Sequence, residues 1–310
     1  MTIREARAKA AEELSSLGSG QLDADVLLKW ILCVDETYLL FYRDTQLTER
    51  QEASFWSAIA ERKRGREICY ITGHKEFYGL DFILSRHVLP PKPDTELLVD
   101  NTIDLVQQRI AMLSKLDQVL LCDLCCGCGC VGISVMHTLR QRLGCVPPVQ
   151  LILIDISDKA ILIAQENARR LLDSETQRLL CFIQSDMFAR HATRKEYDVI
   201  AANPPYVSFL QASSLLSDGR DEPMVALCGD EPDRGGTRKG DGLDVTRRLI
   251  RTATRRLAQG GALVLETGEY QVSEVEKLMV KAHFRHVEVS HDLAGKPRNV
   301  QGRLWKKATR

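Results

Sequence analysis

No stretch of the chain approaches the roughly 18 consecutive apolar residues that a membrane-spanning helix requires, so nothing points to a membrane protein. Net charge is missing too. Lys+Arg and Asp+Glu both number 42, whereas a protein living mainly on nucleic-acid phosphates would usually carry a basic excess. The opening stretch MTIREARAKAAEELSSLGSG has no apolar core of signal-peptide length, and its acids Glu5, Glu12 and Glu13 argue against an organelle transit peptide. A cytoplasmic chain is the expectation, a monomer without a membrane or a stable nucleic-acid partner. Without a secretory leader, the ten cysteines read as reduced thiols rather than a disulfide framework. No internal repeat is visible.

What is present is an ordinary globular composition, 44% hydrophobic and 27% charged, over 310 residues. That length accommodates one large domain and a smaller one. Residues 1–72 read as helical: LDADVLLKWIL places Leu22, Val26, Leu27, Trp30 and Ile31 at helical spacing, and Thr48-x-x-Gln51 forms a capping box before a helix that closes on Gly65. Residues 73–93 alternate in polarity and carry Gly73 and Gly79, which predicts a β-hairpin linker. From 94 to 310, strands and helices alternate. QVLLCDL, VQLILIDI, LLCFIQSD, YDVIAANPP and GALVLETG read as strands. CVGISVMHTLRQRL, DKAILIAQENARRLL, GLDVTRRLIRTATRRLA and QVSEVEKLMVKA read as helices, and two further strands finish the chain. This order predicts an α/β domain whose mostly parallel sheet is covered by helices on both faces. The polar, glycine-rich stretch 227–242 reads as a surface insertion or plain linker.

The first of these strands ends at Asp123 and runs into LCCGCGCVGIS, where Gly127, Gly129 and Gly132 spell G-x-G-x-x-G. Glycines there let the backbone turn tightly and approach a ligand. The next strand ends at Asp155, a carboxylate able to accept both hydroxyls of a ribose. Together they predict a site for a nucleoside-containing cofactor, with a nicotinamide dinucleotide as one alternative.

AANPPY, at the end of the fourth strand, favours a different chemistry. Neither proline can donate to a sheet ladder, so the strand stops in a stiff corner at its carboxyl end. There the Asn203 side-chain oxygen and the Pro204 carbonyl form two acceptors able to grip both hydrogens of an NH2 group. Held still, a poorly nucleophilic amide or amino nitrogen can be aimed at an electrophilic methyl. Tyr206 would add an apolar wall. A mere turn is the plainer reading, but a turn would more often use Gly, Asp or Ser.

Five cysteines, Cys122, Cys125, Cys126, Cys128 and Cys130, crowd a strand end and a tight loop, and no second cluster follows at ligand spacing. They read as small buried side chains, with no metal expected. The arginines of TRRLIRTATRRL, among them Arg247 and Arg248, read as a solvated helix face.

These motifs resemble, in order and over nearly the whole chain, the protein-(glutamine-N5) methyltransferases of the PrmC or HemK family. The segments that carry the likeness are YITGHKEFYGLDF, VLPPKPDTELLVD, DLCCGCGCVGIS, AANPPY, DEPMVAL, DGLD and DLAGKPRNVQGRL. The resemblance implies a class I methyltransferase fold with a seven-stranded, Rossmann-like sheet, a helical N-terminal domain that helps receive the substrate, and S-adenosyl-L-methionine as cofactor. It implies class I peptide chain release factors as substrates, at the glutamine of their Gly-Gly-Gln loop. By matched position, Cys125, Cys126, Gly127, Cys128 and Gly129 would hold the methionine end of the cofactor and Asp155 its ribose. Asp186 and Met187 would border the adenine, and Thr95 and Glu96 would take cofactor-side roles. Asn203, Pro204, Pro205 and Tyr206 would bind the substrate amide, with Asn203 also beside the cofactor. The family usually has glycine where Cys125 stands, so a positive φ there would strain the loop and weaken binding. A ribosomal-protein glutamine, a nucleic-acid adenine, a dehydrogenase and a catalytically dead binding module stand as alternative readings.

Overall fold

The structure is a computed structural model describing residues 1–112, 114, 117–189, 196–217, 221–231 and 240–305. It divides into two compact units, residues 1–74 with 214–221, and residues 75–213 with 222–310.

The first unit holds helices α1 (Ile3–Glu13), α2 (Gly20–Leu32), α3 (Glu36–Phe41), α4 (Glu49–Lys63) and α5 (Ile68–Thr72). The capping box that opens α4 is formed, with Thr48 N–H donating to Gln51 Oε1 at 3.0 Å and Gln51 N–H to Thr48 Oγ1 at 3.3 Å. Ile3, Leu14, Leu27, Leu28, Leu39 and Phe55 fill the core. The buried face of α2 differs from the apolar stripe that its spacing suggests. Leu22 and Trp30 are exposed, while Ala24, Leu27 and Leu28 are buried together with Asp23 and Asp25. Ion pairs explain the rotation. Arg62 holds Asp23 at 2.7 Å and Arg7 holds Asp25 at 2.6 Å, so the two acids go inward with partners.

Next comes the hairpin β1 (His74–Phe77) and β2 (Leu80–Ile83). Its turn residues Tyr78 and Gly79 both have positive φ, the backbone that matches strand twist in a two-residue connection. A 3₁₀ turn, Pro93–Thr95, leads into α6 (Glu96–Ile110). Then follow β3 (Val119–Leu124), α7 (Cys130–Leu143), β4 (Val149–Asp155), α8 (Asp158–Leu171), α9 (Ser174–Gln177), β5 (Leu180–Gln184) and β6 (Tyr197–Ala202). The chain continues through α10 (Phe209–Ser217), α11 (Met224–Leu227), α12 (Asp244–Ala253), β7 (Leu257–Glu266), α13 (Val272–Lys281), β8 (Phe284–His291) and β9 (Pro297–Leu304).

These strands build the seven-stranded sheet in the order β5-β4-β3-β6-β7-β9-β8. Pairing is parallel from β5 to β7, and β9 runs antiparallel to both its neighbours. Alternate residues point to opposite faces. Cys122, Leu124, Ile152, Ile154, Ile200 and Ala202 enter the core that Leu249 of α12 and Val275 of α13 complete. On the other face Asp123, Leu151 and Leu153 lie against α7 at Gly129 and Gly132. This is the expected class I methyltransferase architecture.

Two boundaries depart from the periodicity. The helix expected through residue 258 stops at Ala253, and β7 begins at Leu257 rather than at 261. The cause is long-range. Tyr197 N–H donates to Arg256 O at 2.7 Å and Tyr197 pairs with Leu257, with a register shift before Val199. Sheet pairing therefore takes over a segment whose local pattern is helical.

Candidate active site

The sheet reverses its winding between β3 and β6, since β4 and β5 lie to one side and β6 and β7 to the other. A ligand crevice forms at such a switch point, beyond the carboxyl ends of the strands. A cavity of about 500 Å³ occurs there, within the size range of small-ligand and cofactor sites. Register places the site residues side by side. Leu124 of β3 pairs with Ala202 of β6, and Ala202 pairs with Leu265 of β7. One residue further on, Cys125, Asn203 and Glu266 therefore form a row along the sheet edge.

Of the sequence-predicted residues, Thr95, Cys125, Cys126, Gly127, Cys128, Asp155, Asp186, Met187, Asn203 and Pro205 line the cavity. Gly129, Pro204 and Tyr206 are not among its lining residues. Gly129 caps α7 with φ +81°, and a Cβ there would come within 2.8 Å of Ile133 Cδ1. Glu96 turns toward the hairpin, where its Oε1 accepts the Tyr78 N–H at 3.2 Å.

The glycine loop is held by two acids. Asp155 accepts the Gly127 N–H at 2.9 Å through Oδ2 and the Ser157 N–H at 2.9 Å through Oδ1. Burial raises its pKa and these backbone donors partly offset the rise. Each carboxylate oxygen has two lone pairs, so both retain acceptor capacity toward the cavity. Asp123 accepts the Gly132 N–H at 2.8 Å, and burial pushes its carboxyl up to about 7. A Cβ on Gly132 would sit 3.0 Å from Asp123 Oδ2, which accounts for the third glycine.

The cysteines of the loop are free, and Cys122, Cys126, Cys128 and Cys130 are buried. Burial pushes the thiols of Cys122, Cys125 and Cys126 up, which favours the neutral thiol over the thiolate. Among the described residues no group of three or more His, Cys, Asp or Glu could hold a metal ion. Cys125 adopts φ +62°, the left-handed region that glycine tolerates best.

At the far side, Asp186 takes Arg248 Nη1 with both oxygens at 2.8 Å, and Arg248 Nη2 reaches Glu231 at 2.6 Å. Arg248 lines the cavity instead of standing on a solvated helix face. Its helix-surface spacing hid this, because both carboxylates come from other segments. Arg247, by contrast, pairs with Asp241 and Asp244 close to its own position.

At the corner that ends β6, Asn203 donates through Nδ2 to Thr95 Oγ1 at 3.3 Å. Among the described residues no donor reaches Asn203 Oδ1 or the Pro204 carbonyl. The following peptides are buttressed from behind. Gln271 Nε2 donates to Tyr206 O at 2.9 Å and to Asp241 O at 2.7 Å. Asp230, buried, accepts the Phe209 N–H at 2.8 Å and the Gly242 N–H at 2.7 Å. Gly229 and Gly242 pack directly on the Pro205 and Tyr206 carbonyls. Gly229, Asp230, Asp241 and Gly242 fall in the stretch 227–242 read as a linker; of it, 232–239 lie outside the described residues.

Residues 5–73 match the model of the PrmC N-terminal domain, and residues 99–218 that of the methyltransferase small domain. Release factor glutamine methyltransferases of Koribacter versatilis and Moorella thermoacetica are each 33% identical to this chain. The matches cover 98% and 96% of this chain, and 99% and 97% of those proteins. The chain belongs to the release factor glutamine methyltransferase family.

For a methyltransferase of that family, the cavity offers fitting groups for S-adenosyl-L-methionine. Asp155 has acceptor capacity for a ribose, and Cys125, Cys126, Gly127 and Cys128 line one wall. Ser185, Asp186 and Met187 form another. Cys125, at φ +62°, has the left-handed backbone that the resemblance leads one to expect at a glycine position. Glu266 escaped the sequence reading altogether. Buried behind Asn203, its carboxyl is pushed up to about 7 by burial, against the pull of hydrogen bonding from Thr95 and Asn203. The only signal was an acid closing an otherwise apolar strand, in LVLETG.

Proposed function

We propose that this chain methylates the side-chain amide nitrogen, N5, of the glutamine in the Gly-Gly-Gln loop of class I peptide chain release factors. S-adenosyl-L-methionine, when bound, supplies an electrophilic methyl on a sulfonium centre. The observation that carries the reading is the pair of uncommitted acceptors at the end of β6. Asn203 spends its N–H end on Thr95, leaving Oδ1 and the Pro204 carbonyl for the two hydrogens of a primary amide.

The residues then divide the work. Asp155 and the loop 125–129 bind and orient the cofactor, and Asp186 and Met187 border its base. Asn203 and Pro204 fix the substrate nitrogen, whose alignment supplies much of the rate because an amide is a poor nucleophile. Pro205 and Tyr206 stiffen the corner, and the Gln271 contact fixes the Tyr206 peptide. The helical first unit receives the release factor.

No helix among the described residues is long and apolar enough to cross a membrane. Free thiols fit a reducing, cytoplasmic setting, and balanced charge fits a chain that holds no nucleic acid stably. The test is transfer of label from methyl-labelled cofactor to a release factor, a ribosomal protein and DNA in parallel. Label should enter the release factor and vanish when its loop glutamine becomes alanine. Label in DNA or in the ribosomal protein alone would reject the reading.

A further inference from the structure

A carboxamide has two ends of nearly identical shape and opposite hydrogen-bonding character. Turned one way, Asn203 presents an acceptor to the substrate NH2 group. Turned the other way, it presents donors to donors, and the substrate is repelled. Something in the protein has to choose. Thr95 cannot, because a hydroxyl both accepts and donates and would satisfy either orientation.

Glu266 can. It closes β7 one position beyond Leu265, the partner of Ala202, which puts it beside Asn203. It is 2% exposed, and its Oε2 has no hydrogen-bond partner. On its other side its cross-strand neighbour is Asn299 of β9, fully buried, with neither Nδ2 nor Oδ1 partnered. Directly opposed residues of an antiparallel pair share a face. A buried carboxylate with one oxygen unpartnered costs stability, a cost more often found at functional positions than elsewhere.

We propose that Glu266 is a positioning residue for Asn203: as an acceptor-only group it takes the amide's N–H end together with Thr95 and thereby turns Oδ1 toward the substrate nitrogen. The inference rests on the reading that Asn203 grips a substrate amide.

Protonation removes the choice, since a carboxylic acid gains a donor and accommodates both amide orientations. The groups that face Glu266 set where this happens. Asp94, beside Thr95, and burial itself both favour the protonated form, while Arg298 of β9 favours the carboxylate. Tyr206 after β6 and Cys130 of α7 face it as neutral groups, each held protonated partly by the Glu266 charge. Activity therefore carries an acid limb near neutral pH, with the ionised form active.

The experiment measures kcat and kcat/KM for release-factor methylation from pH 5.5 to 9, with cofactor affinity followed by calorimetry. Wild type should show an acid limb near pH 7. Glu266→Gln, isosteric and again two-faced, should lower kcat several-fold at pH 8.5 and lose that limb. Glu266→Leu should lower kcat at least about 10-fold while cofactor affinity stays within about threefold, the loss expected when one orienting hydrogen bond is removed. A Glu266→Gln enzyme with the wild-type limb, or with unchanged kcat, overturns the proposal. So does parallel loss of turnover and cofactor binding in both variants, which is the mark of a merely structural role. A wild-type chain that labels no glutamine overturns the substrate assignment itself, so the two failures are told apart.

Discussion

Gly229→Ala tests whether the substrate corner is held in place from behind. A Cβ at position 229 would lie 1.9 Å from Gly242 O and 2.5 Å from Pro205 O, where real contacts stay above 3.0 Å. The shortfalls are 3.0 − 1.9 = 1.1 Å and 3.0 − 2.5 = 0.5 Å, and both obstacles are backbone atoms. Either the Gly242 turn retreats and gives up its 2.7 Å bond to Asp230, or the Pro205–Tyr206 peptide moves with the Asn203–Pro204 acceptors attached. A displacement on the order of 1 Å in a positioning group costs about 10²-fold in rate. With release factor saturating, kcat for label transfer should therefore fall by about two orders of magnitude. Cofactor affinity should fall much less, because Asp155 and the glycine loop hang on β3 and β4. Gly144→Ala is the control. It also has positive φ, +65°, but a Cβ there meets nothing within 4 Å. It should cost about 1 kcal/mol of stability and leave kcat alone. A Gly229→Ala enzyme turning over within threefold of wild type would refute the reasoning.

Asn203→Ala removes one of the two amide acceptors and should lower kcat by about 10²-fold or more with cofactor binding largely kept; lost cofactor binding at near-normal turnover would mean the role is misassigned. Cys125→Gly relieves a left-handed backbone worth about 1–2 kcal/mol against about 0.5–1 kcal/mol of added chain entropy, so the melting temperature should move little. Calorimetry should show tighter cofactor binding, since the lost side chain lines the cavity; an unchanged or weaker Kd would free Cys125 of blame. Glu266→Gln should also change stability in a pH-dependent way. The folded-state pKa lies above the ordinary glutamate value, at about 7, so the native state binds the extra proton. Its contribution is complete below the ordinary glutamate pKa and is lost as pH rises through about 7, by an amount on the order of 3 kcal/mol at most. The variant should thus gain melting temperature over wild type at pH 8 and gain little at pH 5. An equal difference at both values would show that Glu266 does not titrate there.

What the residues disclose on their own follows a physical divide. CVGISVMHTLRQRL is a helix from end to end, and β3, β4 and β6 end within a residue of where their apolar runs end. Such elements are specified by local periodicity and by glycine or proline punctuation, both printed in the chain. The corner at Asn203 belongs to the same class, because two prolines state their backbone consequences outright. Other features are made by partners distant in sequence, and these were not legible. The buried face of α2 turns on Arg7 and Arg62. The start of β7 turns on Tyr197, and the inward pose of Arg248 on Asp186 and Glu231. Glu266 is the extreme case. Nothing within LETG says that this acid is covered by β6 and β9 and faces an asparagine 63 positions earlier (266 − 203).

That distance in sequence is short in space for a reason general to parallel sheets. Neighbouring strands lie about 4.8 Å apart, so three strands ending in register put three consecutive duties within about 10 Å. At the ends of β3, β6 and β7 those positions are Cys125, Asn203 and Glu266, proposed in turn to serve the cofactor loop, the substrate amide and the orientation of Asn203. Register, more than any single side chain, is what brings donor and acceptor together. A one-residue slip of β6 would reverse every side chain along it and aim Asn203 at the opposite face. Pairing of β6 on both sides, with β3 and with β7, holds it against that slip. The core that fixes this register is in that sense what positions the proposed site, and the buried acids within it are accommodated by hydrogen bonds, Asp123 by the Gly132 N–H, and by raised pKa values.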